Sequence, residues 1–170
     1  SRQCRVIAAD LDGDSFRVSG DGKMLAWIEG GDQYEAQSMQ FMNLMSGRHI
    51  TIEAGYEEYV QPLGFMEDDL IYGIANRRDV AMDSSGRIFF PMHTVRIQDE
   101  TENILKEYAV PDIYVTSCSV EENQIMLYRV RKEIDEVSGE LVYVEDTNDQ
   151  IMYSKKEDVG KNLIEKVVVD

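Results

Sequence analysis

Four carboxylates near the start of the chain have the spacing of a calcium-binding loop. Asp10, Asp12, Asp14 and Asp21 stand at relative positions 1, 3, 5 and 12. Oxygen ligands at alternating positions are what a hard cation such as Ca²⁺ prefers. However, Ser15 stands where such loops require glycine, and the side chain of Asp21 is shorter than the usual bidentate glutamate. We therefore expect a solvated connection here, and the sequence assigns no metal ligand and no cofactor.

Adjacent acidic residues raise the question of acid–base catalysis. Glycoside hydrolysis needs two carboxylates at a set separation, one of them with a raised pKa. The runs in this chain fall at predicted hairpin turns, where water keeps carboxylates ionised. We therefore expect no catalytic role for these runs, which include Glu57-Glu58, Glu67-Asp68-Asp69 and Glu121-Glu122.

The cysteines and histidines give no nucleophile with its base. The chain has only Cys4, Cys118, His49 and His93, and it contains no Gly-x-Ser-x-Gly elbow. Cys118 has acidic neighbours in sequence, whereas an activated thiolate needs a cationic one. We expect Cys118 to be a small core residue and the histidines to be packed or at strand edges. Spacing alone leaves a Cys4–Cys118 disulfide open. The prediction is that the chain is not an enzyme.

The charge balance limits the partners. The 170 residues include 33 acidic and 17 basic side chains, which gives a net charge of −16. Such a surface repels nucleic acids and anionic lipid headgroups, and it attracts cationic ligands. No apolar run reaches the ~18 residues of a membrane span. We therefore expect no nucleic acid and no membrane insertion.

Five aromatic residues leave a choice between a ligand groove and a core. Aromatic side chains in β-strands more often pack in the core. We favour the core for all five, which are Trp27, Tyr34, Tyr56, Tyr59 and Phe65.

Three similar segments predict a repeated β-unit that would position these residues. They are residues 16–28, 62–74 and 117–129, each an apolar stretch, a turn and a second apolar stretch. Leu25 aligns with Ile71 at an offset of 46 residues, and Ile71 aligns with Met126 at 55. A period near 46 that can lengthen is typical of propeller blades, in which insertions fall in loops. We expect these three residues to occupy equivalent inner-sheet positions of stacked sheets.

The fold class that follows is all-β, with about three four-stranded antiparallel propeller blades in an incomplete ring. We predict one propeller segment over residues 1–170, with blades at 15–54, 59–110 and 113–169 and a strand at 4–9 from a preceding blade. The predicted strands are 15–19, 23–29, 38–45 and 48–54; 59–65, 69–75, 92–98 and 103–110; and 113–120, 124–132, 150–155 and 162–169. A short helix over 101–108 is an alternative. Extra hairpins are expected around 83–90 and 137–144.

Two segments of the first unit resemble the TolB-like blades, which also occur in the propeller domains of dipeptidyl peptidase IV-like proteins. They are Ser19-Gly-Asp-Gly-Lys-Met-Leu-Ala-Trp27 and Met42-Asn-Leu-Met-Ser-Gly-Arg48, with Gly20 where the family usually has proline. The resemblance implies sheets around a central channel, as a binding platform or as a gate beside a hydrolase domain. Because a closed propeller needs about four or more blades, it also implies part of a longer chain.

The expected function is a non-catalytic binding module for a protein or peptide, in a bacterial envelope protein, secreted protein or lipoprotein. The alternative is the substrate-gating part of a larger hydrolase or peptidase whose catalytic domain lies outside this chain. Exposed edge strands also predict self-association.

Overall fold

The computed structural model describes residues 15–153 and 165–167. Within these residues the backbone is almost entirely antiparallel β-sheet, with one short 3-10 helix at Arg77–Asp79. This confirms the all-β prediction. No helix in the described part is long and apolar enough to cross a membrane. The predicted strand at residues 4–9 lies outside the described residues.

The first unit is a four-stranded meander. Its strands pair in chain order, so each is hydrogen-bonded to the next. The β1–β2 turn is closed at Ser19, whose N–H donates to the Met24 carbonyl at 3.0 Å. The strands are β1 (Phe16–Val18), β2 (Met24–Trp27), β3 (Ser38–Asn43) and β4 (His49–Glu53).

The second unit repeats the meander and carries an inserted hairpin. Its strands are β5 (Glu58–Met66), β6 (Asp69–Asn76), β7 (Ala81–Met82), β8 (Ile88–Phe89), β9 (Met92–Gln98) and β10 (Ile104–Tyr108). The order β5-β6-β9-β10 forms the sheet, while β7 and β8 pair only with each other. The hairpin predicted around 83–90 is therefore confirmed. The helix considered over 101–108 is wrong, because this segment pairs with β9.

The third unit begins as predicted and ends differently. Its strands are β11 (Ile113–Val120), β12 (Gln124–Ile134), β13 (Leu141–Glu145), β14 (Asp149–Met152) and β15 (Glu165–Val167). The hairpin predicted around 137–144 is confirmed, since β13 pairs with the extended end of β12. The placement of 162–169 as the outer strand of this unit is wrong. The β15 strand lies parallel to β10 of the second unit, where it covers that sheet's edge.

The three units form an incomplete propeller, in which the first sheet packs on the second unit and the second and third units are joined into one nine-stranded sheet by the pairing of β9 with β11 at Val115↔Met92. Their first strands are neighbours, because β1 lies against β5 and β5 against β11. One buried cluster joins the first two units, with Met24, Phe41 and Met39 facing Leu70 and Tyr72. A second joins the last two units and consists of Tyr59, Met66, Ile71, Ala75, Phe90, Met92, Val95, Ile97, Tyr108, Val115, Ile125, Leu127, Ile151 and Tyr153. The division into blades at 15–54, 59–110 and 113–169 stays a prediction.

The alignment of Leu25, Ile71 and Met126 as equivalent positions is wrong. Leu25 is buried with Trp27 in a separate cluster on one face of the first sheet. The residues that alternate with them along β2 lie on the opposite face, which packs on the second unit. Ile71 instead faces the third unit, and Met126 is half-buried. Since side chains alternate between the two faces of a strand, an offset wrong by one residue reverses the face.

Acidic or amide side chains organise the hairpin turns. The Oδ1 atom of Asp99 accepts hydrogen bonds from the N–H groups of Thr101 and Asn103, both at 2.9 Å. Asn43, Asp83 and Asp135 accept backbone N–H groups in the same way in other turns. Burial raises the pKa of Asp99, but the hydrogen bonds from Asn103 and Thr101 outweigh burial and lower it. Part of the acidic excess is therefore structural.

A methyl group added at Gly73 tests the packing of β6 against the neighbouring strand β9 within the second unit. A Cβ there would overlap the Met92 Sδ, and Met92 is buried in the cluster that joins the second and third units. We expect Gly73→Ala to lower the free energy of unfolding by about 1–3 kcal/mol, measured by urea denaturation. The double variant Gly73→Ala/Met92→Ala should lose less free energy of unfolding than the sum of the losses of the two single variants. Strict additivity would contradict this packing, and Gly20→Ala, with open space around it, is the neutral control.

The turn at Asp99 predicts a pH dependence. Its pKa is lowered in the folded chain, so its contribution to stability is full above its ordinary value of 3.8 and is lost as the pH falls below that value. We expect Asp99→Ala to cost about 1 kcal/mol at pH 7, because the site is partly exposed. The difference from wild type should disappear in acid. Glu122→Ala, which removes an exposed turn charge, should show no such change with pH.

Candidate functional site

The inserted hairpins of the second and third units meet through aromatic side chains. Phe89 on β8 contacts Tyr143 on β13 edge to face, with ring centroids 4.8 Å apart. Tyr143 in turn contacts Tyr114 on β11 at 5.7 Å, again edge to face. These are the favourable geometries for aromatic pairs. The two insertions therefore form one continuous surface, which we call the hairpin surface: residues 79–89 together with 131–146.

Lys132 is the centre of the hairpin surface. Its Nζ lies 5.2 Å from the Tyr114 ring centroid and 5.4 Å from that of Tyr143. The same Nζ lies 3.6 Å from the Asp79 Oδ1, whose side chain is 8% exposed. Burial lowers the pKa of Lys132, but Tyr143, Asp79 and Tyr114 outweigh it and raise the pKa. The ammonium group thus stays charged and joins the two insertions.

The outer part of the β12–β13 hairpin is apolar and acidic at once. Ile134 and Leu141 pair across the two strands and are 66% and 63% exposed, and Val137 at the turn is 97% exposed. Residues 133–146 contain six acidic side chains and no basic one. The nearby Arg131 is engaged by Glu133 at 2.6 Å and Asp146 at 3.5 Å. This end of the surface therefore offers exposed apolar contacts within a negative potential.

A buried network fixes the base of this hairpin. Arg129 donates to the Tyr108 hydroxyl at 3.0 Å and to the Thr147 carbonyl at 2.8 Å. The Tyr108 hydroxyl donates to the Asp149 Oδ2 at 2.9 Å. Burial, and then the hydrogen bond with Asp149, raise the pKa of Tyr108 to about 12. The network links β10, β12 and β14, so the hairpin rises from a firmly held base.

The two histidines lie apart, in structural settings. His49 is exposed, stacks on Trp27 with ring centroids 6.2 Å apart, and lies 2.6 Å from the Gln40 Oε1. The His93 Nε2 lies 2.6 Å from the Glu58 Oε2. The His93 Nδ1 also lies 2.7 Å from the Oγ1 of the adjacent Thr94. Because Thr94 is buried on β9, this hydroxyl has no open approach for a substrate.

Cys118 is a free thiol on β11, packed against the cluster between the second and third units. Burial raises its pKa to about 11, which suits an inert core residue. Cys4 lies outside the described residues, as do Asp10, Asp12 and Asp14 of the calcium-like spacing. Across residues 15–153, no group of three histidine, cysteine or acidic side chains is arranged to hold a metal ion.

The expectation that all acidic runs are solvated is wrong for Asp69. This residue begins β6, is 1% exposed, and accepts a hydrogen bond from the buried Tyr153 hydroxyl. The turn ends one residue earlier than the run suggests, so Asp69 already belongs to the sheet. Its carboxylate links the second and third units and has no open approach for a substrate.

The five aromatic residues do not assemble into a groove. Trp27 and Tyr59 are buried. Tyr34 and Phe65 are half-buried against Phe90 and Phe41 respectively. Tyr56 is 92% exposed, so the expectation that all five are core residues is wrong for Tyr56.

The hairpin surface was missed as a site in the sequence. Phe89 and Tyr143, which contact each other, are 54 residues apart along the chain. The sequence signal is that an extra hairpin is predicted within a segment rich in acidic and apolar residues. This signal indicates where the surface lies, but it does not indicate which residues contact each other.

Comparisons with known proteins give only distant likenesses. No family model and no curated protein matches the chain. Among solved structures, it is similar to the β-propeller domain of Cps50 (Swd1) from Myceliophteria thermophila, with 10% identity, a TM-score of 0.24, and coverage of 79% of this chain and 57% of that one. The chain is also similar to Hsv2 from Kluyvelomyces marxianus, with 10% identity, a TM-score of 0.23, and coverage of 80% of this chain and 61% of that one. For Hsv2 from Kluyveromyces lactis the identity is 6% and the TM-score is 0.22, with coverage of 75% of this chain and 59% of that one.

The chain thus spans about three fifths of the length of these solved structures. With TM-scores this low, the likenesses carry no argument about function. The description as an incomplete propeller depends on the strand order and stacking of the chain itself.

Lys132 can be tested as the centre of the hairpin surface. We expect Lys132→Met to lower the free energy of unfolding by about 1–2 kcal/mol, because Asp79 loses its cation and two rings lose a cation–π contact. Adding Asp79→Asn should recover part of the loss in chemical denaturation. Arg78→Met removes the same charge from an exposed position and should have no effect. Equal losses for Lys132→Met and Arg78→Met would contradict the assignment.

Proposed function

We propose that this chain is a non-catalytic interaction module of the β-propeller type that binds a basic protein or peptide segment at the hairpin surface. The observation that carries the proposal is the hairpin of β12 and β13, which exposes Ile134, Val137 and Leu141. Exposed apolar side chains of this size are characteristic of interaction surfaces. Their acidic surroundings favour a cationic partner.

The geometry of the hairpin surface supports binding rather than chemistry. Tyr143 and Lys132 fix the hairpin against the body of the protein, so its exposed residues are presented with little ordering left to do on binding. The nearest titratable groups are paired with one another, as Lys132 is with Asp79 and Arg131 is with Glu133. None of them is aligned with a hydroxyl or thiol nucleophile.

The resemblance to TolB-like blades supports two finer proposals. The first is a place in the bacterial cell envelope or among secreted proteins, which suits a binding platform. The second, an alternative function, is the gating part of a larger hydrolase or peptidase. A nucleophile elbow encoded in the same reading frame would favour the second.

A pair of charge variants tests the proposed function. The probe is a fluorescein-labelled peptide of about eight residues in which lysine and valine alternate, a length suited to one strand. One variant carries Glu136→Gln, Glu140→Gln and Glu145→Gln, and the control carries Glu29→Gln, Glu53→Gln and Glu122→Gln. Both variants lose the same three charges from exposed positions. Fluorescence anisotropy should show at least fivefold weaker binding for the first variant and little change for the control.

Salt and peptide charge provide the further controls. Binding should weaken between low and physiological ionic strength, because exposed charges are screened over about 8–10 Å. A peptide in which glutamate and valine alternate should not bind. Equal weakening by the two charge variants, or no binding of the basic peptide at all, would contradict the proposed function.

A further inference from the structure

Among residues 15–153 and 165–167, no strand pairs with the outer edge of β13. This strand stands at the end of the strand order of its sheet, paired with β12 on one side only. The register of that pairing runs without a bulge from Val130↔Glu145 to Ile134↔Leu141. By contrast, the edge of β10 in the second unit is covered by β15.

The hydrogen bonds at the two ends of the β12–β13 ladder define which backbone groups face outward. The Asp146 N–H donates to the Arg129 carbonyl at 3.0 Å, and the Asp135 N–H donates to the Glu140 carbonyl at 2.8 Å. In an antiparallel ladder, residues that bond to the partner strand alternate with residues that bond away from it. Residues 140, 142, 144 and 146 therefore face β12. The N–H and C=O groups of Leu141, Tyr143 and Glu145 point to the open side.

Within the part of the chain that the structure describes, nothing gives this edge the usual protection against pairing. Natural edge strands are commonly blocked by lysine, proline, a bulge or a covering segment. The sequence of β13 is Leu-Val-Tyr-Val-Glu, which has neither lysine nor proline and is rich in residues that favour strands. The outward-facing Tyr143 backbone belongs to a residue whose ring is fixed by Phe89 and Tyr114. The strand is thus held in an extended form that is ready to pair.

Charge selects the occupant of this edge. Six acidic residues lie between residues 133 and 146, with no basic residue among them. A second copy of the chain would bring another six acidic residues to the same place, and like charges across strands are unfavourable. A strand with lysine or arginine at alternate positions would face them instead. Its intervening apolar side chains would lie beside Ile134 and Leu141, which are exposed on one face.

We propose that β13 is a strand-addition site, at which a basic, extended peptide segment pairs with the backbone of Leu141, Tyr143 and Glu145. This inference rests on the proposed function and adds the mode of recognition. Main-chain hydrogen bonds supply affinity in this mode, and alternate side chains supply specificity.

Backbone variants of both molecules test the strand addition. Leu141→Pro and Glu145→Pro each remove an outward N–H, and proline is tolerated at a strand edge whose N–H faces solvent. Leu141→Ala shortens the side chain and keeps the N–H. The probe is the lysine–valine peptide, compared with the same peptide N-methylated at alternate backbone nitrogens. We expect at least tenfold weaker binding for either proline variant and for the N-methylated peptide, and less than threefold for Leu141→Ala.

The outcomes separate this inference from the proposed function. If the plain and N-methylated peptides bind equally, while the Glu136, Glu140 and Glu145 variant still weakens binding, strand addition is wrong and the proposed function stands. If neither peptide binds, both fail. A salt-dependent dimer in light scattering that Glu145→Pro abolishes would assign the edge to a second copy and overturn the choice of a basic peptide. Circular dichroism identifies any variant that has not folded, and the N-methylated peptide decides the question without a variant.

Discussion

The sheet of the second unit is buried on both faces, and the remaining structure depends on this burial. Leu70 and Tyr72 of β6 face the first unit, while Ile71 and Ala75 of the same strand face the third. Fully burying one such aliphatic side chain contributes about 1.5–3 kcal/mol. Without its neighbours, the second unit would expose both apolar faces of its sheet to water, and each neighbour would expose the face that packs on it. Stacking therefore holds the units together, as in other repeat architectures.

Polar interactions determine how the second and third units are oriented relative to each other, which apolar packing alone does not specify. The buried Asp69 carboxylate and the Tyr153 hydroxyl join the second unit to the third. Arg129 and Tyr108 form a second link between the same units. Buried polar groups of this kind stabilise one arrangement, because any shift leaves a donor or acceptor without its partner. The inserted hairpins rise from the part of the structure that these links hold.

The acidic composition has two separate roles. At the turns, residues such as Asp99 accept backbone hydrogen bonds and shape the chain. At the β12–β13 hairpin, Glu136 and Glu140 are exposed and create the potential that a cationic partner would meet. The net charge of −16 does not distinguish these two roles. The distinction comes from hydrogen-bond geometry.

The sequence by itself determined the strands and the turns, because alternating apolar residues and Asx or glycine turns are local signals. It also determined the extra hairpins, although the hairpins' packing on each other was not predictable. Tertiary structure alone decided which face each strand buries, as the slip between Leu25 and Ile71 shows, since one residue reverses a face. It also decided the burial of Asp69, the pairing of β15 with β10, and the meeting of Lys132 with Tyr143 and Asp79. These contacts join residues that are distant in the chain, and no local preference specifies them.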